Sequence, residues 1–193
     1  MKIVFATNNP NKLSEIKALV PNTIEIISLK EMGCFDELPE TQDTLEGNAF
    51  QKAEYVVKKY NLPCFSDDTG LLVDALNGEP GVYSARYAGP ENSSEKNMNK
   101  LLANLEGETN RNASFETVIA LILNGDKHVF NGRVEGEITE AKSGADGFGY
   151  DPIFIPENGK LTFAEMTKEA KGKISHRGRA VKKLVAFLAS LES

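Results

Sequence analysis

The chain has 193 residues, of which 40% are hydrophobic and 26% charged, the composition of an ordinary soluble globular protein. A net charge of −6, from 28 acidic and 22 basic residues, argues against a protein that holds nucleic acid through its phosphates. Cys34 and Cys64 have no metal-ligand spacing and predict two free thiols in a reducing compartment. The N-terminus does not resemble a signal peptide, and no segment approaches the roughly 20 apolar residues of a membrane span. We therefore expect one cytoplasmic domain over residues 1–193, with neither nucleic acid nor a membrane as partner.

Charge is unevenly distributed along the chain. Residues 31–46 hold six acidic side chains and no basic one: Glu31, Asp36, Glu37, Glu40, Asp43 and Glu46. Residues 168–183 hold one acidic side chain and seven basic ones: Lys168, Lys171, Lys173, Arg177, Arg179, Lys182 and Lys183. Such a separation suits a site where a cation and a polyphosphate meet. Two solvated faces are the alternative that charge alone leaves open.

The first predicted elements alternate strand and helix. Lys2 to Ala6 is a short, apolar, β-branched run and predicts a buried strand. Asn9 before Pro10 predicts the capped start of a helix. A second strand is predicted over Ile24 to Ile27, and the acidic residues 30–43 predict a loop.

A longer helix is predicted next, with Thr44 as its cap and apolar residues at steps of three and four as far as Tyr60. Cys64 to Ser66 predicts a short strand that ends at Asp67-Asp68-Thr69-Gly70. Leu71 to Leu76 predicts another strand, and Glu95 to Leu105 a helix capped by Ser93 or Ser94.

The centre of the chain is rich in β-forming residues. Strands are predicted over residues 114–123, 127–134 and 136–139, with a hairpin turn at Asn124-Gly125-Asp126. The chain then closes with a helix over Arg177 to Leu191, capped by Ser175. This order of elements predicts a mixed α/β fold, in which helices flank an elongated, twisted sheet in two lobes.

The first strand joins the first helix through Thr7-Asn8-Asn9-Pro10-Asn11-Lys12. Free backbone N–H groups and the positive end of the helix dipole favour phosphate at such a junction. Lys12 adds a cation on the first turn, although the segment lacks the glycines of a P-loop. Candidate phosphate ligands are therefore Thr7, Asn8, Asn9 and Lys12. A plain capping sequence is the alternative.

Two adjacent acids follow the predicted strand at Cys64. Side chains alternate along a strand, so we expect Asp67 and Asp68 to point to opposite sides, one toward a pocket and the other bracing the loop. Magnesium binding uses one or two carboxylates and leaves the other positions to water and substrate phosphate. Glu40, in the acidic loop, is the candidate second carboxylate.

Glycines flank an aromatic residue in Gly147-Phe148-Gly149-Tyr150-Asp151-Pro152. They let the backbone approach a flat ligand, the phenyl ring of Phe148 can stack on a base, and Asp151 can form a hydrogen bond to that base. An aromatic ring packed at a glycine bulge is the alternative.

The basic segment before the final helix contains Lys171 and Ser175-His176-Arg177. Histidine and arginine there are N–H donors suited to oxygen acceptors. The two histidines of the chain, His128 and His176, accompany no nucleophile motif. This excludes a Ser-His-Asp or Cys-His hydrolase.

Six motifs in fixed order resemble the inosine/xanthosine triphosphate pyrophosphatase family, whose members remove deaminated purine nucleotides. They are Thr-Asn-x-x-x-Lys, Glu-Thr-x-x-Thr, Asp-Asp-Thr-Gly, Pro-Gly-x-Tyr-Ser-Ala-Arg-Tyr, Gly-Phe-Gly-Tyr-Asp-Pro and Ser-His-Arg. The match runs from Ile3 to about Leu188. The resemblance implies a two-lobed mixed α/β fold with the active site in the cleft between the lobes, and a homodimer.

The resemblance also implies roles for the candidate residues. Triphosphate contacts are Thr7, Asn8 and Lys12, with Lys52 as a further one. Glu40 and Asp68 would bind Mg²⁺, and Asp68 would also accept a proton from the attacking water. The remaining substrate contacts would be Thr69, Phe148 as the base-stacking ring, Gly149, Tyr150, Asp151, Lys171, and His176 with Arg177 near the purine O6.

Two positions depart from the family pattern. Gln42 stands where the family often has glycine, and Gly47 where it often has glutamate. The change at Gly47 removes a carboxylate near the expected metal region, so no metal role is assigned there.

The implied reaction is hydrolysis of ITP, dITP and XTP to the monophosphate and pyrophosphate, with Mg²⁺ as cofactor. A site that offers only donors at purine O6 disfavours the amino group of adenosine, whereas rejection of GTP must depend on its 2-amino group. A sensor that binds such nucleotides without cutting them is one alternative, which Glu40 and Asp68 argue against. A pyrophosphatase for modified pyrimidines is another, and Phe148 with His176 and Arg177 favours a purine instead.

Overall fold

The computed structural model describes residues 1–191, so the last two residues of the predicted domain, 192 and 193, lie outside the described residues. The described residues form two compact units. The first unit contains Met1–Asp68, Thr117–Gly132 and the residues from Arg177 onward, and the second contains Thr69–Glu116 and Arg133–His176. Among the described residues, none of the helices is both long and apolar enough to cross a membrane.

Strands and helices alternate at the start of the chain, as predicted. In chain order the elements are β1 (Lys2–Phe5), α1 (Pro10–Leu19), β2 (Glu25–Ser28), α2 (Leu45–Tyr60), β3 (Cys64–Val73), β4 (Pro80–Gly81), α3 (Ser94–Asn104), β5 (Asn112–Leu123), β6 (Asp126–Ile138), β7 (Phe154–Pro156), α4 (Lys168–Ile174) and α5 (His176–Ser190). Short 3₁₀ turns lie at Asp74–Leu76, Ser84–Arg86, Asp151–Ile153 and Phe163–Glu165.

The seven strands form one sheet in the order β2-β1-β3-β5-β6-β7, with β4 paired to β3. β1 is parallel to both β2 and β3, whereas β4 is antiparallel to β3 and β7 is antiparallel to β6. The sheet is therefore mixed, which confirms the predicted fold class. Asn124 and Gly125 both have positive φ, which fits the two-residue hairpin turn predicted between β5 and β6.

Short polar side chains start the helices where the sequence predicts. Asn9 Oδ1 accepts hydrogen bonds from the backbone N–H groups of Asn11 and Lys12, at 2.9 and 3.2 Å. Thr44 caps α2 and Ser93 caps α3 in the same way. These caps satisfy backbone donors that a helix start leaves without intrahelical partners.

Two strand boundaries were predicted wrongly, and one helix was missed. β3 does not end at Asp67-Asp68 but continues to Val73, because side chains from elsewhere in the first unit neutralise the two acids. β6 continues through Gly136, where an added Cβ would lie 2.2 Å from the carbonyl oxygen of Ile155, so glycine permits close approach of β7. The short helix α4 was not predicted at all.

Each unit has its own apolar core. In the first unit, Phe5 of β1 and Phe65 of β3 stack with ring centroids 4.7 Å apart, among residues of α1 and α5. A smaller cluster in the same unit packs one face of α2, through Ala53 and Val56. In the second unit, Phe115, Phe154 and Phe163 form an aromatic cluster. The cores of the first unit fix β3 and α2, which carry Asp67, Asp68 and Lys52 of the candidate site.

Candidate active site

Asp67 and Asp68 contact different partners, as the alternation of side chains along β3 predicts. Both are buried, with 1% and 8% of their surface exposed. Asp67 faces Lys12 of α1 and Arg177 of α5, whereas Asp68 faces Asn48 and Lys52 of α2. The Asp68 side chain therefore shares Lys52 with Glu40 of the acidic loop.

A buried ion network surrounds Asp67. Lys12 Nζ lies 3.1 Å from Asp67 Oδ1, and Arg177 Nε donates to Asp67 Oδ2 at 3.0 Å. Arg177 Nη1 also donates to Glu15 Oε2 at 2.5 Å. Burial alone would raise the pKa of Asp67, but Lys12, Arg177 and Lys52 together hold it well below its ordinary value. Asp67 is thus an ionised brace between three elements of the first unit.

Arg177, predicted to lie near the purine O6, is the second cation that contacts Asp67. Its side chain is among the largest fully buried ones in the described residues, and two carboxylates hold its guanidinium. Burial lowers the pKa of Arg177, but Asp67 and Glu15 outweigh that effect and raise it. The contact of Arg177 with a purine remains a prediction.

Lys52 links the two carboxylates that were predicted to bind metal. Its Nζ donates to Glu40 Oε1 at 2.5 Å, lies 3.8 Å from Asp68 Oδ1, and donates to the backbone carbonyl of Asp67 at 2.8 Å. Burial lowers the pKa of Lys52, but Asp68, Glu40 and Asp67 outweigh it and raise the pKa. Burial raises the pKa of Asp68 even though Lys52 and Lys12 oppose that shift. The structure thus brings Glu40, Lys52 and Asp68 together.

The chemistry of this group fits a hard divalent cation. Glu40 and Asp68 both lie within 4 Å of the same ammonium nitrogen, so the two carboxylates already share one positive partner. Within residues 1–191 there is no cluster of three or more histidine, cysteine, aspartate or glutamate side chains that could hold a metal. Magnesium needs fewer, because one or two carboxylates suffice when water and phosphate complete its coordination.

The predicted phosphate segment lies between β1 and α1 in the same unit. Thr7 Oγ1 accepts a hydrogen bond from Asn9 N at 3.2 Å, and Asn8 Nδ2 donates to the carbonyl of Asp36 at 2.9 Å. The side chain of Asn9 is used for capping, as described above. Burial is the largest influence on Lys12 and lowers its pKa, despite the nearby Asp67. Lys12 and Lys52 both contact the backbone carbonyl of Asp67, so two cations meet at this point of β3.

The predicted base-binding residues lie in the second unit. Asp151 Oδ2 accepts hydrogen bonds from Phe148 N at 2.8 Å and from Lys171 Nζ at 2.7 Å. The side chains of Lys171 and Asp151 are almost fully buried, and Lys171 Nζ lies 5.0 Å from the centroid of the Phe148 ring. The structure therefore brings Phe148, Asp151 and Lys171 together.

The other residues of the second unit that were predicted to contact the substrate each have different surroundings. Tyr150 is buried and its hydroxyl donates to the carbonyl of Ser84 at 2.8 Å. The His176 ring stacks on Phe115, with centroids 4.6 Å apart. Gly149 has a φ of +65° and open space where a side chain would be, and Thr69 follows Asp68 in β3 with its side chain half-buried. Direct contact of these residues with a nucleotide remains a prediction.

The sequence analysis missed Asn48 and did not foresee the contact that Gly147 makes possible. Asn48 is fully buried and hydrogen-bonded to Asp68, and its position four residues before Lys52 is the signal that could have indicated it. Gly147 has a φ of +79°, and a Cβ there would lie 2.2 Å from Asp151 Oδ2. Glycine at 147 therefore lets the Asp151 carboxylate reach the backbone of Phe148.

The sequence model of the Ham1 family matches residues 3–187, nearly the whole chain. The chain belongs to the Ham1 family. A dITP/XTP pyrophosphatase from Flavobacterium johnsoniae is 57% identical over 190 residues, which cover 98% of this chain and 99% of that protein. The resemblance inferred from the six motifs is thereby confirmed.

Solved structures of Ham1 proteins share the fold. The Ham1 protein of Staphylococcus aureus superposes with a TM-score of 0.88 at 44% identity, covering 98% of this chain and 99% of that one. A HAM1 protein from Coxiella burnetii gives a TM-score of 0.89 at 38% identity, with the same two coverages.

Gln42 and Gly47, the two residues expected to depart from the family pattern, lie next to each other. A Cβ added to Gly47 would lie 2.8 Å from Gln42 Cβ, 3.2 Å from Gln42 Cγ and 3.0 Å from the Thr44 hydroxyl. The side chain of Gln42 therefore occupies the space that a side chain at position 47 would need.

The ion network predicts a large loss of stability when Asp67 becomes neutral. In Asp67→Asn the shape is kept, but Lys12 and Arg177 lose their shared carboxylate while buried. We expect the free energy of unfolding to fall by about 3 kcal/mol, the scale for breaking a buried charge pair. Urea unfolding at pH 7 measures this, with Glu169→Gln as the control because its pair with Lys173 is exposed. A loss below about 1 kcal/mol, the scale of an exposed pair, would contradict the bracing role of Asp67.

The contact between Gln42 and Gly47 predicts strong coupling between their substitutions. Glycine to alanine inside a helix usually stabilises by about 1 kcal/mol, but in Gly47→Ala the clash with Gln42 should reverse the sign. The added change Gln42→Gly should restore the favourable effect, with a coupling free energy of about 1 kcal/mol or more in a double-mutant cycle. Thermal or urea unfolding of the four proteins gives that coupling. Additive effects would show that the two residues do not compete for space.

Proposed function

We propose that this chain hydrolyses ITP, dITP and XTP to the nucleoside monophosphate and pyrophosphate, and so removes deaminated purines from the nucleotide pool. The observation that supports this proposal best is the group in the first unit where Lys52 forms ion pairs with both Glu40 and Asp68. Hydrolysis of a phosphoanhydride needs a proton acceptor beside cations, and this group supplies both. Membership of the Ham1 family and the 57% identity to a dITP/XTP pyrophosphatase support the substrate class.

In this proposal the first unit handles the phosphates and the attacking water. Lys12 and Lys52 attract the phosphate oxygens, and the backbone N–H groups after Thr7 and Asn8 at the start of α1 add donors. The Asp68 carboxylate accepts a proton from the attacking water. The phosphoanhydride bond between the α- and β-phosphates breaks, and pyrophosphate leaves. The lysines stabilise negative charge without transferring a proton.

Magnesium is the proposed cofactor, with Glu40 and Asp68 as its protein ligands. When bound, Mg²⁺ neutralises charge on the phosphate oxygens and lowers the pKa of the nucleophilic water. Lys52 keeps the two carboxylates near each other, which lowers the cost of gathering like charges at one site.

In the second unit we propose that the Phe148 ring stacks on the purine. The Asp151 carboxylate fixes the backbone of Phe148, and Lys171 neutralises that carboxylate. Gly149, Tyr150 and Asp151 would form the wall beside the base, Thr69 would contact the substrate, and His176 would donate to purine O6. A donor at O6 favours a keto purine over adenosine, because an amino group there would leave the donor without an acceptor.

The proposal also includes one two-lobed domain over residues 1–193, a homodimer and a cytoplasmic location. The domain and the homodimer rest on the family resemblance. Both cysteines are buried and free, which supports a reducing compartment.

The first test is pyrophosphate release from dITP, XTP, ATP and GTP, each with Mg²⁺ and with EDTA. We expect fast release from dITP and XTP, release at least ~100-fold slower from ATP and GTP, since mismatched polar groups discriminate strongly, and none in EDTA. Equal rates on all four nucleotides would sink the selectivity for deaminated purines. Release in EDTA at the same rate would remove the metal from the proposal.

The second test separates an enzyme from a nucleotide sensor. Asp68→Asn keeps the shape of the proton acceptor but not its basicity, so kcat on dITP should fall ~10²- to 10⁴-fold, the usual contribution of a general base. Binding of dITP in EDTA, measured by calorimetry, should stay within about threefold because ground-state contacts remain. Glu46→Gln, an exposed acid on α2, is the control that should leave kcat unchanged. A parent protein that binds dITP tightly without cutting it would favour the sensor.

A further inference from the structure

We infer that Asn48 is a positioning residue for catalysis, whose side-chain amide holds the Asp68 carboxylate in its working orientation. The inference rests on the proposed function, because it assigns to Asn48 an effect on the proton acceptor of that reaction. It concerns only residues of the first unit.

The hydrogen bonds of Asn48 define which end of its amide faces Asp68. The backbone N–H of Gln42 donates to Asn48 Oδ1 at 2.9 Å, so the oxygen must lie on that side. The Nδ2 group then faces Asp68 and donates to its Oδ2 at 3.2 Å. Asn48 has no exposed surface, and a buried amide is stable only when such bonds are made.

Asp68 is held from two points on the same face of α2. Asn48 donates to Oδ2, while Lys52, one helical turn later, lies near Oδ1. Contacts on both oxygens restrict rotation of the carboxylate about the Cβ–Cγ bond. A contact on one oxygen alone would restrict this rotation less. Asn48 does so with a neutral donor, so it adds no charge to a group that already contains Lys52, Lys12, Glu40 and Asp67.

The same amide ties the acidic loop to β3. Gln42 lies two residues after Glu40, and its backbone is bonded to the side chain that contacts Asp68. One buried residue therefore relates the positions of the two carboxylates proposed as magnesium ligands. A change in the relative position of Glu40 and Asp68 would misplace the reacting groups. Displacements of about 1 Å can lower a reaction rate by about 100-fold.

The chain offers a matched control one turn further along α2. Gln51 Oε1 accepts from the backbone N–H of Thr41 at 2.9 Å, and its Nε2 donates to the Thr41 hydroxyl at 2.8 Å. Gln51 thus tethers the same loop to the same helix through an amide, and these bonds do not involve Asp68. Replacing either amide by its acid keeps the acceptor for the loop N–H and removes the donor.

The experiment compares Asn48→Asp, Asn48→Ser and Gln51→Glu with the parent protein. For each we would measure kcat and KM on dITP with saturating Mg²⁺, the affinity for dITP in EDTA by calorimetry, and the urea midpoint. We expect both Asn48 variants to lose ~100-fold in kcat, with KM and the dITP affinity within about threefold of the parent. Gln51→Glu should stay within about twofold of the parent in kcat.

The variants separate position from charge and from folding. Asn48→Asp introduces a negative charge beside Asp68, whereas Asn48→Ser shortens the side chain and removes the amide without adding a charge. An equal loss in both variants therefore assigns the effect to the amide donor and not to the charge. If Asn48→Asp is unstable, its kcat is corrected for the folded fraction measured by urea unfolding. The kcat of Asn48→Ser then shows whether the amide is needed.

Three outcomes would overturn the inference. Asn48 variants with kcat within threefold of the parent would show that Asp68 needs no such donor. An equal loss in Gln51→Glu would mean that the loop tether, and not the contact with Asp68, sets the rate. A parent protein that releases no pyrophosphate from any nucleotide would overturn the proposed function and this inference with it, whereas an active parent with active Asn48 variants would overturn the inference alone.

Discussion

Asp67 and Asp68 are adjacent, buried carboxylates in the middle of β3. Side chains of the first unit offset the free-energy cost of removing these two charges from water. A buried charge is tolerated only when it is paired and hydrogen-bonded. Asp67 meets that condition through Lys12 and Arg177, and Asp68 through Lys52 and Asn48. Because side chains alternate along β3, the two carboxylates make their direct contacts with different side chains.

That division explains why the two acids differ in pKa although they are neighbours. Burial pushes both pKa values upward, but the cations around Asp67 reverse the shift, whereas those near Asp68 do not. A carboxylate held ionised by two fixed cations is a poor base and a good brace. The proposed role of Asp68 as proton acceptor rests on its place beside Glu40 and Lys52 and on the family motif.

Local signals in the sequence predicted what local interactions decide. The caps at Asn9 and Thr44, the hairpin at Asn124-Gly125 and the alternation at Asp67-Asp68 depend on residues a few positions apart, and the structure confirms them. The continuation of β3 was missed because its acids are neutralised from a distance: Arg177 lies 110 residues after Asp67. For the same reason the sequence indicated that Arg177 belongs with a site but not that carboxylates hold it. The family motifs named the residues, and only the packing assigns partners to them.

Helix α2 carries two side chains that contact Asp68, namely Asn48 and Lys52. Asn48 and Lys52 point from one face of it to opposite oxygens of Asp68, while Lys52 also reaches Glu40 and the backbone of Gln42 reaches Asn48. The helix start must therefore be set accurately against the acidic loop, and Gly47 lies at that point. With no side chain at 47, Gln42 can pack directly over the first turn, which brings its N–H to Asn48. The glycine at position 47 thus accompanies a close contact between loop and helix. In this chain that contact, with the amide of Asn48, relates Glu40 to Asp68.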